Sequence, residues 1–111
     1  MSQHIAHINA TELAAWLADA QRSDPILLDV REPQEHGICL IKNSLTMPMG
    51  SVPARHHELD QTAPIVCICH HGGRSAQVAQ FLLQQGFSNI INLTGGVHAW
   101  AQDIETGMPT Y

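Results

Sequence analysis

Ile65-Val66-Cys67-Ile68-Cys69-His70-His71-Gly72-Gly73-Arg74-Ser75 is the stretch that decides the fold. An apolar run ends at Cys69, two glycines follow, and an amphipathic pattern begins immediately afterwards. This order predicts a strand, a tight loop and a helix, with Cys69 at the carboxyl end of the strand. Backbone N–H groups in such a loop, together with the positive end of the helix, can bind an anion and stabilise a thiolate. We therefore expect Cys69 to be a reactive cysteine and the remaining chain to be its scaffold.

Segments typical of strands and helices alternate along the rest of the chain. We predict strands at residues 4–8, 26–30, 44–47, 65–69 and 89–93. Helices are predicted from a capping box at residues 9–12 to a break at 23–25, then at 33–36, 53–59, 74–85 and around 97–104. This alternation predicts an α/β domain with a parallel sheet, in which ligands bind beyond the carboxyl ends of the strands. The loop after Cys69 and the turn after Asp29 both lie at such ends.

Length and composition narrow the class of protein. The 111 residues form one domain, 1–111, and with 44% apolar and 14% charged residues the chain is globular. No run of eighteen apolar residues exists, so no membrane span is expected. A net charge of −5 with five Lys and Arg residues argues against nucleic-acid binding. Three cysteines and an N-terminus without the features of a secretion signal predict a cytoplasmic protein.

The length of the loop indicates its chemistry. Four residues separate Cys69 from Arg74, whereas cysteine phosphatases use five to enclose a tetrahedral phosphate. The shorter loop leaves room for a single sulfur, which a thiolate can take from a donor and carry as an anionic persulfide. Gly72 and Gly73 allow the loop N–H groups to turn inward and stabilise that anion. Arg74 can either brace the loop carbonyls or bind an anionic donor.

The sequence resembles the single-domain rhodanese-like sulfurtransferases. The matching motifs are Asp29-Val30-Arg31-Glu32-Pro33 with Glu35, Ile41 with Met47-Pro48, Cys69 to Ser75, Gly86-Phe87, Leu93-Thr94-Gly95-Gly96 and Trp100. The resemblance implies a five-stranded parallel sheet flanked by helices and a persulfide-forming Cys69. It further implies that the sulfur donor is bound by His70, His71, Gly72, Gly73, Arg74 and Ser75. The implied donor is a small anion such as thiosulfate or a persulfide, and the implied acceptor is cyanide, a small thiol or a protein cysteine.

One segment departs from that family. Its members often carry Gly-His-Ile-Pro-Gly where this chain has Cys39-Leu40-Ile41-Lys42-Asn43. The conformation of this turn therefore does not follow from the resemblance.

Other polar residues around the loop are assigned supporting or structural roles. Cys67 lies inside the strand and is expected to pack in the core. We interpret Asp29 as an orienting residue and expect Arg31 to form an ion pair with Glu35. The spacing of Cys69, His70, His71 and His98 matches no established metal-ligand pattern, so we predict neither a metal site nor a cofactor. His70 and His71 either tune the loop or only fill space beside it.

Two other classes of function remain open at this point. The first is a phosphatase or arsenate reductase, which the short loop disfavours. The second is a non-enzymatic rhodanese-like module that binds a partner or senses redox state. Sulfur uptake by Cys69 distinguishes a sulfurtransferase from such a non-enzymatic module.

Overall fold

The computed structural model describes residues 4–111 and shows a parallel five-stranded sheet between two layers of helices. The strands are β1 (Ala6–Ile8), β2 (Ile26–Asp29), β3 (Leu45–Thr46), β4 (Ile65–Ile68) and β5 (Ile90–Leu93). They pair in the order β1-β5-β4-β2-β3, with every pairing parallel. The predicted α/β class and five-stranded parallel sheet are confirmed. Residues 1–3, on which the expectation of no secretion signal partly depends, lie outside the described residues.

Residues 4–111 form five α-helices, of which the first four connect the strands and the fifth follows β5. They are α1 (Ala10–Ala18), α2 (Pro33–His36), α3 (Val52–Arg55), α4 (Gly73–Gln84) and α5 (Gly96–Asp103). The predicted capping box at the start of α1 is present: Asn9 Oδ1 accepts from Glu12 N at 2.8 Å, and Glu12 Oε1 accepts from Asn9 N at 2.9 Å. The helix ends earlier than predicted because the backbone of Asp19 is extended. The predicted helix 53–59 is α3 followed by a 3₁₀ turn, His56–Glu58.

The central strand β4 is buried on both faces, as its continuous apolar run predicts. Alternate side chains enter two separate apolar clusters. Ile65 and Cys67 pack in a cluster with residues of α4, whereas Val66 and Ile68 pack in one with residues of α1 and α5. The sheet is therefore covered on both sides, and its central strand delivers Cys69 to the carboxyl edge.

The segment that departs from the family sequence forms a defined turn before β3. Asn43 adopts φ +69°, in the left-handed region that asparagine tolerates better than most residues. It stands where family members often have glycine, a residue that enters this region of φ readily. At the start of the turn, Arg31 Nη2 donates to Cys39 O at 2.8 Å. The turn is held without the family's glycines.

Candidate active site

The loop between β4 and α4 closes around the sulfur of Cys69. Gly72 adopts φ +109°, and its N–H donates to Cys69 Sγ at 3.0 Å. A Cβ on Gly72 would lie 3.3 Å from Leu93 O, so both the backbone conformation and the space favour glycine. Cys69 is only 1% exposed, and its thiol is held beneath the loop rather than projecting from it. The predicted placement of Cys69, Gly72 and the helix N-terminus is present in the structure.

The N-terminus of α5 anchors the outer side of the same loop. Val97 N donates to Cys69 O at 2.9 Å, and His98 N donates to His70 O at 3.0 Å. A Cβ on Gly96 would overlap both of these carbonyl oxygens. The Gly95-Gly96 pair is therefore more than a tight turn, because the absence of a side chain at Gly96 lets α5 reach the loop.

Asn92, which was not among the predicted site residues, holds the loop from inside the protein. Its Oδ1 accepts from Ser75 Oγ at 2.6 Å, and its Nδ2 donates to Gly72 O at 3.2 Å. Ser75 Oγ lies 3.3 Å from Cys69 Sγ and is buried. Ser75 therefore supports the sulfur from inside the protein instead of facing an incoming donor. The signal for Asn92 was a single polar residue in the apolar strand β5, where a buried amide needs partners.

The ion pairs beside the loop differ from the predicted ones. Arg74 binds the carboxylate of Glu35 with both terminal nitrogens, at 2.7 and 2.9 Å. The predicted Arg31–Glu35 ion pair is wrong, because Arg31 directs its guanidinium to Asp29, with Nη2–Oδ2 at 2.7 Å. Arg31 reaches Glu35 only at its main-chain oxygen, at 3.3 Å. The Glu35 carboxylate therefore holds the Arg74 side chain, and this ion pair connects the loop to α2.

Asp29 orients its neighbours rather than the cysteine loop. Its carboxylate accepts from the main-chain N–H of Arg31 at 3.0 Å as well as from the Arg31 side chain. His36 Nε2 lies 3.3 Å from the same carboxylate. Asp29 and Arg31 are both fully buried, and each compensates the charge of the other.

Tyr111 links these groups to the histidines of the loop. Its hydroxyl donates to Glu35 Oε2 at 2.6 Å and accepts from Arg31 Nη1 at 2.9 Å. Its ring stacks on the ring of His70, with centroids 4.0 Å apart and an interplanar angle of 8°. Residues 105–111 are irregular, and the participation of Tyr111 in this site could not be predicted because it depends on contacts distant in sequence.

The electrostatics of the site follow from these contacts. The hydrogen bonds from Arg74 hold the pKa of Glu35 far below its ordinary value, against the opposing effect of burial. Burial, with the nearby His71 and His98 rings, lowers the pKa of His70, which favours its neutral form. Burial raises the pKa of the Cys67 thiol to about 12, so Cys67 is a packed and protonated thiol at neutral pH.

Comparison with known proteins identifies the family and supports the fold. The rhodanese-like domain family matches residues 9–103. A sulfurtransferase of Allochromatium vinosum is 36% identical over 98 residues, which are 88% of this chain and 90% of that protein. The thiosulfate sulfurtransferase GlpE of Coxiella burnetii is 31% identical over 100 residues, which are 90% of this chain and 88% of that protein.

The fold is shared with solved structures as well. A crystal structure of a Staphylococcus saprophyticus protein superposes with a TM-score of 0.81 at 34% identity, over 90% of this chain and 97% of that one. Within residues 4–111, no helix is both long and apolar enough to cross a membrane. The chain belongs to the rhodanese-like family of sulfurtransferases.

Proposed function

We propose that this sulfurtransferase moves a sulfane sulfur from thiosulfate or a small persulfide to a thiol or cyanide, with Cys69 as the carrier. The observation that carries the proposal is the 3.0 Å contact between Gly72 N–H and Cys69 Sγ, at the N-terminus of α4. A donor in this position stabilises negative charge on sulfur, which is needed on the thiolate and again on the persulfide.

The reaction has two balanced steps. The Cys69 thiolate attacks the outer sulfur of thiosulfate, a sulfur–sulfur bond forms, and sulfite leaves with the electron pair of the broken bond. The acceptor thiolate or cyanide then attacks the terminal sulfur of the persulfide, and the electron pair returns to Cys69. The products are a new persulfide or thiocyanate, and the enzyme is restored without an external oxidant or reductant.

The donor anion is proposed to bind over the main chain at Gly73. A Cβ on Gly73 would meet nothing within 4 Å, so the loop is open there, whereas Gly72 and Ser75 are enclosed. Arg74 contributes positive charge near Cys69 while both of its terminal nitrogens hold Glu35. His71 is exposed at the mouth of the loop, where it can contact a donor.

The choice of sulfur over phosphate rests on the size of the loop. The Gly72 N–H already contacts Sγ, so the enclosed space suits one additional sulfur rather than a tetrahedral oxyanion. The name of the Coxiella burnetii relative supports thiosulfate as one donor. The cysteines at 39, 67 and 69 are all free thiols, which supports placing the reaction in the reducing cytoplasm.

Intact-mass measurement after incubation with thiosulfate tests the proposal. The wild type should gain the mass of one sulfur atom and lose it when cyanide is added, with release of thiocyanate. Cys69→Ser should gain none. Cys67→Ala is the matched control, because Cys67 is also buried and lies two residues away, and it should be loaded like the wild type.

Two results would overturn the assignment. Loading of Cys69→Ser would place the carrier on another cysteine. Absence of loading in the folded wild type, with both thiosulfate and a small persulfide as donors, would make the chain a rhodanese-like module that binds a partner or senses redox state.

A further inference from the structure

Three histidines meet beside the loop although they come from two separate elements. His70 and His71 follow β4, and His98 lies in the first turn of α5. One ring nitrogen from each lies within 4.8 Å of the other two. The ring centroids are 4.0 Å apart for His70 and His71, 4.8 Å for His71 and His98, and 5.8 Å for His70 and His98. The linear spacing gave no metal pattern because the third imidazole is supplied by the fold.

The backbone that carries the three rings is fixed. His98 N–H donates to His70 O at 3.0 Å, and the neighbouring Val97 N–H donates to Cys69 O at 2.9 Å. The close approach at Gly96 keeps α5 directly against the loop. The three histidines are therefore neighbours because of the packing of α5, not because flexible side chains happen to meet.

Two ring nitrogens of this cluster are buried and without a partner. His70 Nε2 and His98 Nδ1 form no hydrogen bond to any residue that the structure describes. Buried polar atoms are usually satisfied, and an imidazole lone pair can be satisfied by a metal ion as well as by a proton donor. The Tyr111 ring covers the face of His70, but the lone pair of Nε2 lies in the plane of the imidazole, where the stacked ring does not cover it.

A neighbouring carboxylate also suits a cation at this cluster. The carboxylate of Glu35 interacts favourably with positive charge at His70, to which it is connected through Tyr111.

We propose that His70, His71 and His98 bind a divalent transition-metal ion of the zinc type through three imidazole nitrogens. Three histidines and one open position are an established zinc arrangement. Zinc–nitrogen bonds of about 2.1 Å in a tetrahedron place the nitrogens about 3.4 Å apart. The present separations are at most 4.8 Å, so small rotations of the three imidazole side chains would bring the nitrogens to that geometry. The site goes beyond sulfur transfer, since it uses no atom of Cys69.

Zinc titration in competition with a chromogenic chelator tests the site. The tag-free protein should bind one equivalent of Zn²⁺, and Cys69→Ser should bind it equally, which separates this site from the persulfide chemistry. His71→Ala and His98→Ala should each weaken binding at least tenfold. His57→Ala is the matched control, because His57 is also exposed and also follows a histidine with a buried, unpartnered ring nitrogen. Among residues 4–111, His57 belongs to no cluster of three possible metal ligands.

Each other outcome has a defined meaning. Absence of stoichiometric binding to the wild type would overturn the proposal. Loss of binding in Cys69→Ser would replace the three-imidazole site with a thiolate site. Equal loss in His57→Ala would show general surface binding. Far-UV circular dichroism checks the fold of His98→Ala, while the exposed His71 provides a variant with little effect on folding. A Co²⁺ complex with visible d–d bands and no thiolate charge-transfer band would support the nitrogen ligands independently.

Discussion

Replacing Asn92 with alanine should destabilise the protein and slow sulfur loading together. The amide connects β5 to both Gly72 O and Ser75 Oγ, and it is buried. Alanine removes two hydrogen bonds and leaves one carbonyl and one hydroxyl without this partner. Each buried group left unsatisfied costs about 1–3 kcal/mol. Gly72 O keeps its hydrogen bond from Ala76 N, at 3.1 Å, and Ser75 keeps its 3.3 Å contact with Cys69 Sγ, so we expect a total loss of about 1–3 kcal/mol in the free energy of unfolding.

Urea denaturation at neutral pH measures this loss. Domains of this size have total stabilities of about 5–15 kcal/mol, so the variant should remain folded at 25 °C. Asn89→Ala is the matched control, because Asn89 precedes the same strand and its side chain is exposed. It should change the free energy of unfolding by less than about 0.5 kcal/mol.

The kinetic effect should accompany the thermodynamic one. Without the Asn92 amide, Gly72 can shift, and its N–H no longer lies steadily 3.0 Å from Sγ. Complete loss of one such donor costs about 100- to 1,000-fold in rate, so partial displacement should slow loading about 10- to 100-fold. An Asn92→Ala variant that stays within about 0.5 kcal/mol of the wild type would refute the structural reasoning. A destabilised variant that loads sulfur at the wild-type rate would show that Asn92 does not position this donor.

Two further substitutions test the contacts around the loop. Gly96→Ala should lower the free energy of unfolding by about 2–4 kcal/mol, because alanine is strained at φ +56° and its Cβ overlaps the adjacent carbonyls. In the control Gly50→Ala the new Cβ meets open space, so urea denaturation should show a change of less than about 0.5 kcal/mol. Glu35→Gln should cost about 1–2 kcal/mol at pH 7, a value reduced because the Arg74 side chain is 37% exposed. The hydrogen bonds from Arg74 lower the pKa of Glu35, so its stabilisation is present above the ordinary value of 4.5 and disappears as the pH falls through the folded-state value. The difference in stability between wild type and Glu35→Gln, followed by thermal denaturation, should therefore shrink below pH 4.5. The control Glu58→Gln, at an exposed ion pair, should have little effect on stability. A stability difference for Glu35→Gln that grows in acid would contradict this reasoning.

The fold could be predicted because its central elements are encoded locally. The strand β4 is apolar at every position, α1 carries its own capping box, and Pro33 opens α2 at the expected residue. Element ends were less predictable because they depend on tertiary contacts. The indole of Trp16 donates to Ser23 O at 2.9 Å, which draws the chain after α1 back onto the helix. A helix of the predicted length would not allow this contact.

The site was predictable only where it is contiguous. The residues from Cys69 to Ser75 form one strand–loop–helix unit, so their spacing defines the loop. Asn92 and Tyr111 enter from distant parts of the chain, and no local pattern connects them to Cys69. The incorrect partner for Arg31 has a similar cause. Arg31 precedes the first turn of α2. Its guanidinium donates hydrogen bonds to the buried carboxylate of Asp29, two residues away, instead of to the carboxylate of Glu35.

This arrangement of charges bears on how an anionic donor is recognised in the proposed reaction. Binding of the donor by the two Arg74 N–H groups that face Glu35 would break hydrogen bonds of 2.7 and 2.9 Å. Hydrogen bonds to charged groups contribute about 1.5–3 kcal/mol each, so this exchange would return little net binding energy. The loop N–H groups need no exchange, because Gly73 is open and its backbone is already fixed by α4. In the proposed reaction, the Glu35–Arg74 pair that braces the loop therefore favours recognition of the donor by the main chain, and the length of the loop limits which anions fit.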